Sequence, residues 1–251
     1  MGFRGGGTAG HTADRTGQLA SGHSNGTRRH RGAAPVVMDG NSPRFDPSSL
    51  RLIAITDSLR DGIEGLSARA MAAVLGGATM LQLRLKDESA RTLVEVARAL
   101  RAIAPRIPLL VNDRADVAMA AGAQGVHVGV EDIAPAALRR VVPPGFIIGA
   151  SVGDAAEAVR ALGADYVGIG PVFSTGSKPD AGTAIGVDRF AELAGMCGVP
   201  AVAIGGVTVL NVAALTVAGA AGIAVISALF ASADPMQAAR ALRSAQHASE
   251  T

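Results

Sequence analysis

Two periods organise the apolar residues of the chain. Short runs rich in Val, Ile and Leu recur as "RLIAIT" from Arg51, "TMLQLRL" from Thr79, "IPLLVN" from Ile107 and "GVHVG" from Gly125. They continue as "FIIGAS" from Phe146, "YVGIG" from Tyr166, "PAVAIGG" from Pro200 and "GIAVIS" from Gly222. Between these strand-like runs lie segments with helical spacing, such as "ESARTLVEVARALRAI" and "GDAAEAVRALG". One phrase leads into several strands: "LGGATMLQL", "AGAQGVHVG", "LGADYVGIG" and "AGAAGIAVIS". Gly suits the left-handed position that ends a helix, and the small residue after it lets helix and strand pack closely. Eight such units in about 200 residues predict an α/β fold, a closed parallel (β/α)8 TIM barrel. An open doubly wound sheet gives no reason for eight units, and no GxGxxG follows the first strand.

The stretch "MLQLRLKD", Met80 to Asp87, alternates Leu81, Leu83 and Leu85 with Gln82, Arg84 and Lys86. In a barrel the leucines should face the helices, and Met80, Gln82, Arg84 and Lys86 the interior. The inward set then rises from apolar to charged towards the C-terminal end, where such barrels hold their active sites. Two cations are costly in a packed interior but can meet an anion at the mouth. The other strand ends agree. They offer Asn112 and Asp113, Glu131 and Asp132, and Ser151. Further along come Thr175, Ser177 and Lys178, then Gly205-Gly206, and finally Ile226-Ser227.

Three kinds of chemistry follow from these residue types. Asp113 and Asp132, on adjacent strands, are hard oxygen donors of the kind Mg²⁺ takes while keeping water and substrate phosphate in its shell. Arg84, Lys86 and Lys178 supply positive charge for phosphate oxygens. Gly205-Gly206 and Ile226-Ser227 follow strands seven and eight, the usual phosphate-binding place of these barrels. Two separate anion sites are expected, one metal-assisted and one built from backbone.

Composition removes other classes. The formal charge of +2 misleads, because residues 1–48 hold six Arg and three Asp, which leaves 17 basic and 18 acidic residues in the rest. With one Tyr and no Trp there is no stacking platform, so nucleic acid is not expected as a partner. Leu193 to Ala233 contains no charged residue, yet "VPAVAIGG", "TVLNVAALTVAGA" and "AGIAVIS" read as a buried strand–helix–strand unit, not a membrane span. A single cysteine, Cys197, cannot form an internal disulfide and points to a reducing, cytoplasmic compartment. Residues 1–48 read as a disordered tail and 49–248 as one barrel domain. Met38 opens "MDGNSPRFD" just before the first strand, which makes residues 1–37 a candidate non-native leader. A homo-oligomer is compatible with this sequence.

From about Arg51 to Phe230 the chain resembles the thiamine phosphate synthase family. The resemblance rests on "QLRLKD", "VNDRADVAMAAGAQGVHVGVEDI", "GADYVGIGPVFSTGSKPDAG" and "VAIGGVTVLNV", in the family's order. It implies a transferase that joins 4-amino-2-methyl-5-hydroxymethylpyrimidine pyrophosphate to thiazole phosphate, giving thiamine phosphate and pyrophosphate. By position it implies that Gln82, Arg84, Lys86 and Asn112 hold the pyrimidine pyrophosphate, with Asp113 and Asp132 on Mg²⁺. Ser151 and Lys178 would contact the pyrophosphate or the reacting centre, and Thr175, Ser177, Gly206, Ile226 and Ser227 the thiazole phosphate. It further implies a dissociative reaction, in which pyrophosphate leaves first. The chain departs from the family at "SVGD" after Ser151, where a histidine is usual, at Ser177 for Thr, and at Leu85 for an acidic residue. The absent histidine weighs against a thiazole tautomerase, the first rival. A non-catalytic phosphate-binding barrel is the second, disfavoured because polar groups in a barrel are costly to keep without a ligand.

Plainer readings compete at single positions. Asp113 and Asp132 could each cap the helix that follows. Gly205-Gly206 could be no more than a tight turn. His127 reads as a structural or supporting residue ahead of a proton shuttle.

Overall fold

The structure is a computed structural model that describes Gly2 and residues 45–177 and 182–248. The chain divides into two units, residues 1–39 and 40–251, and every element below belongs to the second. Eight strands close into one barrel in sequence order, each parallel to its neighbours, with β1 paired to both β2 and β8. They are β1 (Leu52–Ile55), β2 (Met80–Leu83), β3 (Leu109–Asn112), β4 (Gly125–Val128), β5 (Ile147–Val152), β6 (Tyr166–Ile169), β7 (Ala201–Ile204) and β8 (Gly222–Val225). The connecting helices are α1 (Gly62–Leu75), α2 (Ala90–Ile103), α3 (Ala115–Ala121), α4 (Pro135–Leu138), α5 (Ala155–Arg160), α6 (Gly186–Cys197), α7 (Val212–Val217) and α8 (Ser227–Phe230), with α9 (Pro235–His247) closing the chain.

Local sequence explains these elements. Helix α2 buries Leu93, Val96, Ala97 and Leu100, one stripe at helical spacing, and Ser89 caps it by accepting from the Thr92 amide at 3.1 Å. Such a cap contributes about 1 kcal/mol. Gly122 ends α3 at φ 70°, the left-handed stop expected from "AGAQG".

The alternation in β2 resolves as the sequence predicts. Leu81, Leu83 and Leu85 lie in the large core between sheet and helices, while Met80 lies in a second core inside the barrel with Ile53, Leu110, Tyr166 and Val202. The strand is shorter than its pattern. It stops at Leu83, because the next ladder position is taken by a side chain: the Arg84 amide donates to the Thr56 hydroxyl at 2.8 Å, and that hydroxyl donates back to the Arg84 carbonyl at 3.2 Å.

The uncharged stretch from Leu193 to Ala233 is indeed the end of α6, then β7, α7, β8 and α8. No helix among the described residues is long and apolar enough to cross a membrane. The expected tail lies outside the described residues apart from Gly2 and its last four positions. Of those four, Phe45 is partly buried against the inner core, and Asp46, Pro47 and Ser48 are exposed. Phe45 stacks on Tyr166 with ring centroids 6.1 Å apart, and Pro47–Leu50 form a 3₁₀ turn capped by Asp46.

Candidate active site

The C-terminal ends of the strands surround a cavity of about 320 Å³. Glycines keep it open. Gly129, Gly168 and Gly170 line it from β4 and β6, where side chains would fill the upper barrel. At Gly170 an added Cβ would stand 2.1 Å from the Ile204 carbonyl oxygen.

On one wall stand Gln82, Arg84 and Asn112. Gln82 is almost fully buried, and its amide donates to Asn112 Oδ1 at 2.9 Å, which fixes both side chains. Thr56, fully buried beneath, holds the Arg84 backbone by the two hydrogen bonds given above. Lys86 is exposed at the rim, near enough to Asp113 that the ammonium and the Arg84 guanidinium both favour its ionised form.

Asp113 sits in a strained turn. It has φ 62°, a left-handed conformation found at no other non-Gly described residue. The Arg114 amide reaches back to the Asn112 carbonyl at 2.7 Å and closes a three-residue turn around it. Such strain costs about 1–3 kcal/mol and persists only where the surroundings impose it. Its result is to bring the Asp113 carboxyl against that of Asp132. Asp132 in turn accepts from the Gly129 amide at 2.7 Å. Neither carboxylate is a helix cap: the N-cap residues of α3 and α4 are Arg114 and Ala134, with no side-chain capping bond. Asp113 as a residue is exposed to solvent, but the protein packed around its carboxyl, then the hydrogen-bonding position and charge of Asp132, push that carboxyl up to about 6, above the usual carboxylate range. Two carboxylates forced together in this way fit a bound divalent cation, which relieves their repulsion. Among the described residues no cluster of three or more His, Cys, Asp and Glu exists, so a cation here would keep several water or substrate oxygens.

The opposite wall is backbone and hydroxyl. Gly205 and Gly206 have φ 93° and 63°, and a Cβ on Gly206 would meet the Ser174 carbonyl oxygen at 2.5 Å. Both positions therefore demand glycine, for conformation and for room. Thr175 accepts from the Ser177 amide at 3.2 Å, and the Ser177 hydroxyl donates to that of Ser227 at 2.8 Å. Ile226 and Ser227 complete this side. Lys178 lies outside the described residues.

Ser151 lines the cavity from β5, with its hydroxyl 3.1 Å from His127 Nε2. In the segment after Ser151, Val152, Gly153 and Glu157 line the cavity. The Gly153 amide donates to Glu157 at 2.6 Å, and Asp154 caps α5 by accepting from the Glu157 amide at 2.8 Å. Val152 is buried on the helix side. Glu157, Tyr166 and Thr56 are the site-related residues that the sequence reading passed over. Gly149 and Gly168, glycines inside strands, are the signal that could have drawn attention to Tyr166 and His127.

Comparison with known proteins agrees with this geometry. The family model for thiamine monophosphate synthase matches residues 52–229. The thiamine-phosphate synthase of Xanthobacter autotrophicus is 49% identical over 203 residues, covering 79% of this chain and 96% of its own length. That of Methanoculleus marisnigri is 51% identical over 175 residues, covering 68% and 83%. Among solved structures, a thiamine phosphate pyrophosphorylase from Pyrococcus furiosus superposes with TM-score 0.73 at 35% identity, covering 82% of this chain and 99% of that one. A 3-hexulose-6-phosphate synthase, at 22% identity and TM-score 0.63, shares the barrel fold. With the family model matched from β1 to α8 and relatives near half identical over most of their length, the chain belongs to the thiamine monophosphate synthase family.

Proposed function

We infer that this barrel is a transferase that joins 4-amino-2-methyl-5-hydroxymethylpyrimidine pyrophosphate to thiazole phosphate, releasing pyrophosphate and forming thiamine phosphate. The observation that carries this reading is the contrast between the two walls of the mouth. One has cations beside a crowded carboxylate pair. The other is made of glycine backbone and hydroxyls. A reaction between two phosphorylated substrates, only one of which loses its phosphates, calls for that asymmetry.

In this reading Gln82, Arg84, Lys86 and Asn112 bind the pyrimidine pyrophosphate. Asp113 and Asp132 hold Mg²⁺, which when bound supplies positive charge to the phosphate oxygens. Arg84, Lys86, Ser151 and Lys178 stabilise the charge that collects on pyrophosphate as its bond to the pyrimidine methylene breaks. The electron pair of that bond leaves with the pyrophosphate. The thiazole nitrogen then donates its lone pair to the methylene carbon, and a C–N bond replaces the C–O bond. Thr175, Ser177, Gly205, Gly206, Ile226 and Ser227 hold the thiazole phosphate so that its nitrogen faces the carbon.

No nucleophile–base pair is needed, because the nucleophile is the thiazole nitrogen itself. The lone Cys197 suits a reducing cytoplasm. The experiment is genetic. Expression in a bacterial strain lacking its own thiamine phosphate synthase should restore growth without added thiamine. Failure to grow, with the protein folded and abundant, would overturn the reading.

A further inference from the structure

We propose that Tyr166, His127 and Ser151 form a one-way hydrogen-bond relay that aims the Ser151 hydroxyl into the mouth as a donor to the departing pyrophosphate. His127 and Tyr166 are then positioning residues for the reaction. The inference rests on the reading that Ser151 faces the pyrophosphate.

The relay crosses three adjacent strands. In register, His127 of β4 pairs with Gly149 of β5, Gly149 with Tyr166 of β6, and Ser151 with Gly168. Tyr166 Oη lies 3.0 Å from His127 Nδ1, and His127 Nε2 lies 3.1 Å from Ser151 Oγ. Room has been cleared for both rings. A Cβ on Gly149 would stand 2.4 Å from Tyr166 Cζ, and one on Gly168 would stand 3.2 Å from His127 Cε1. Glycine inside a strand weakens it, so two such positions side by side sacrifice stability to admit the pair. A phenol and an imidazole in a barrel interior are also more costly than apolar fillers unless every polar atom is satisfied.

Direction follows from the chemistry of the three groups. Burial, then the Asp165 charge, push the Tyr166 phenol well above its usual range, so it stays protonated. It has one proton to give, and Nδ1 accepts it. A neutral imidazole with Nδ1 as acceptor carries its proton on Nε2. Nε2 therefore donates to Ser151 Oγ. The serine lone pair is occupied from below, and its own proton turns toward the cavity that Ser151 lines. Fixed donors of this kind need no reorganisation as charge develops on the leaving group.

The test combines a spectrum with a kinetic cycle. Nitrogen-15 NMR of the full chain labelled at histidine, assigned against H127Q, should show His127 as the Nε2–H tautomer, with or without Mg²⁺ and inorganic pyrophosphate. Y166F should lose that single tautomer. Y166F should also lower kcat about tenfold, the effect of one lost hydrogen bond on a charged partner, with KM for thiazole phosphate unchanged. The double variant Y166F/S151A should be no slower than S151A alone, and H127Q, which keeps an N–H near the serine, should outperform H127F. An Nδ1–H tautomer in the wild type, or additive losses in the double variant, overturns the relay. The tautomer is read without turnover, so an inactive wild type would sink the synthase reading and the donor role of Ser151 with it, while the direction of the hydrogen-bond chain is decided by the spectrum of the wild type alone, even if a variant fails to fold.

Discussion

The Asp113 carboxyl lies beside that of Asp132 past the ends of β3 and β4, and Asp113 holds a left-handed backbone at φ 62°. This pair sets the pH behaviour of the cation-free protein. The folded Asp113 titrates at about 6, above the ordinary 3.8. A raised carboxyl contributes stability that is full below about 4 and is lost as pH rises through about 6. In EDTA, Tm should therefore fall between pH 4 and pH 6 by more in wild type than in D113N. Added Mg²⁺ should raise Tm at pH 7.5 in wild type and have little effect in D113N. Calorimetric melts check both, and equal responses in the two proteins would remove Asp113 from the metal site.

Arg84 faces the cavity at the top of β2, where the leaving pyrophosphate is proposed to bind. Truncating one partner of a desolvated charge pair costs about 2–5 kcal/mol, so R84A should lower kcat/KM by about 10²–10³-fold. Steady-state kinetics with both substrates varied measures this. Near-normal turnover would take Arg84 out of the reaction.

Thr56 acts one step behind. Its hydroxyl both accepts from and donates to the Arg84 backbone in a fully buried position. T56V keeps the shape and leaves those backbone groups unpaired, at about 1–3 kcal/mol. Denaturant unfolding should show that loss, accompanied by a raised KM for the pyrimidine pyrophosphate. A T56S variant, which keeps the hydroxyl, should restore most of both.

Gly206 lies on the cavity wall proposed to hold the thiazole phosphate. G206A places a side chain at φ 63° and against the Ser174 carbonyl. The strain is about 1–3 kcal/mol. KM for thiazole phosphate should rise about tenfold or more, while KM for the pyrimidine pyrophosphate stays near normal. Equal changes in both constants would mean that the turn does not discriminate between the substrates.

Phe45 packs against the inner core of the barrel. Starting the chain at Met38 should leave Tm and activity unchanged. F45A should cost about 2 kcal/mol, because a half-buried ring that stacks on Tyr166 is removed. Thermal melts of both proteins separate a dispensable leader from a packed plug under the barrel.

The strands and their C-terminal residues were legible because parallel barrels write each strand as one apolar run ended by a polar group. Gln82, Arg84, Asn112 and Ser151 could be placed at one edge from that pattern alone. Contacts between strands were not legible. The bond from His127 to Tyr166 depends on the register of β4, β5 and β6, which no local period encodes. The early end of β2 was hidden for a related reason: Thr56, distant in sequence, supplies the hydrogen bonds that a backbone ladder would have made. Phe45 was assigned to the tail because a lone aromatic after a polar stretch has no period to reveal its partner. Glu157 reads as an ordinary helix residue until the Gly153 amide is found on its carboxylate.

The most direct test of the account is incubation of the full chain with both substrates and Mg²⁺, with thiamine phosphate and pyrophosphate measured together. The account predicts the two products in equal amounts, and neither product when one substrate or the cation is left out. No thiamine phosphate from the complete mixture, or undiminished formation in excess EDTA, would contradict it.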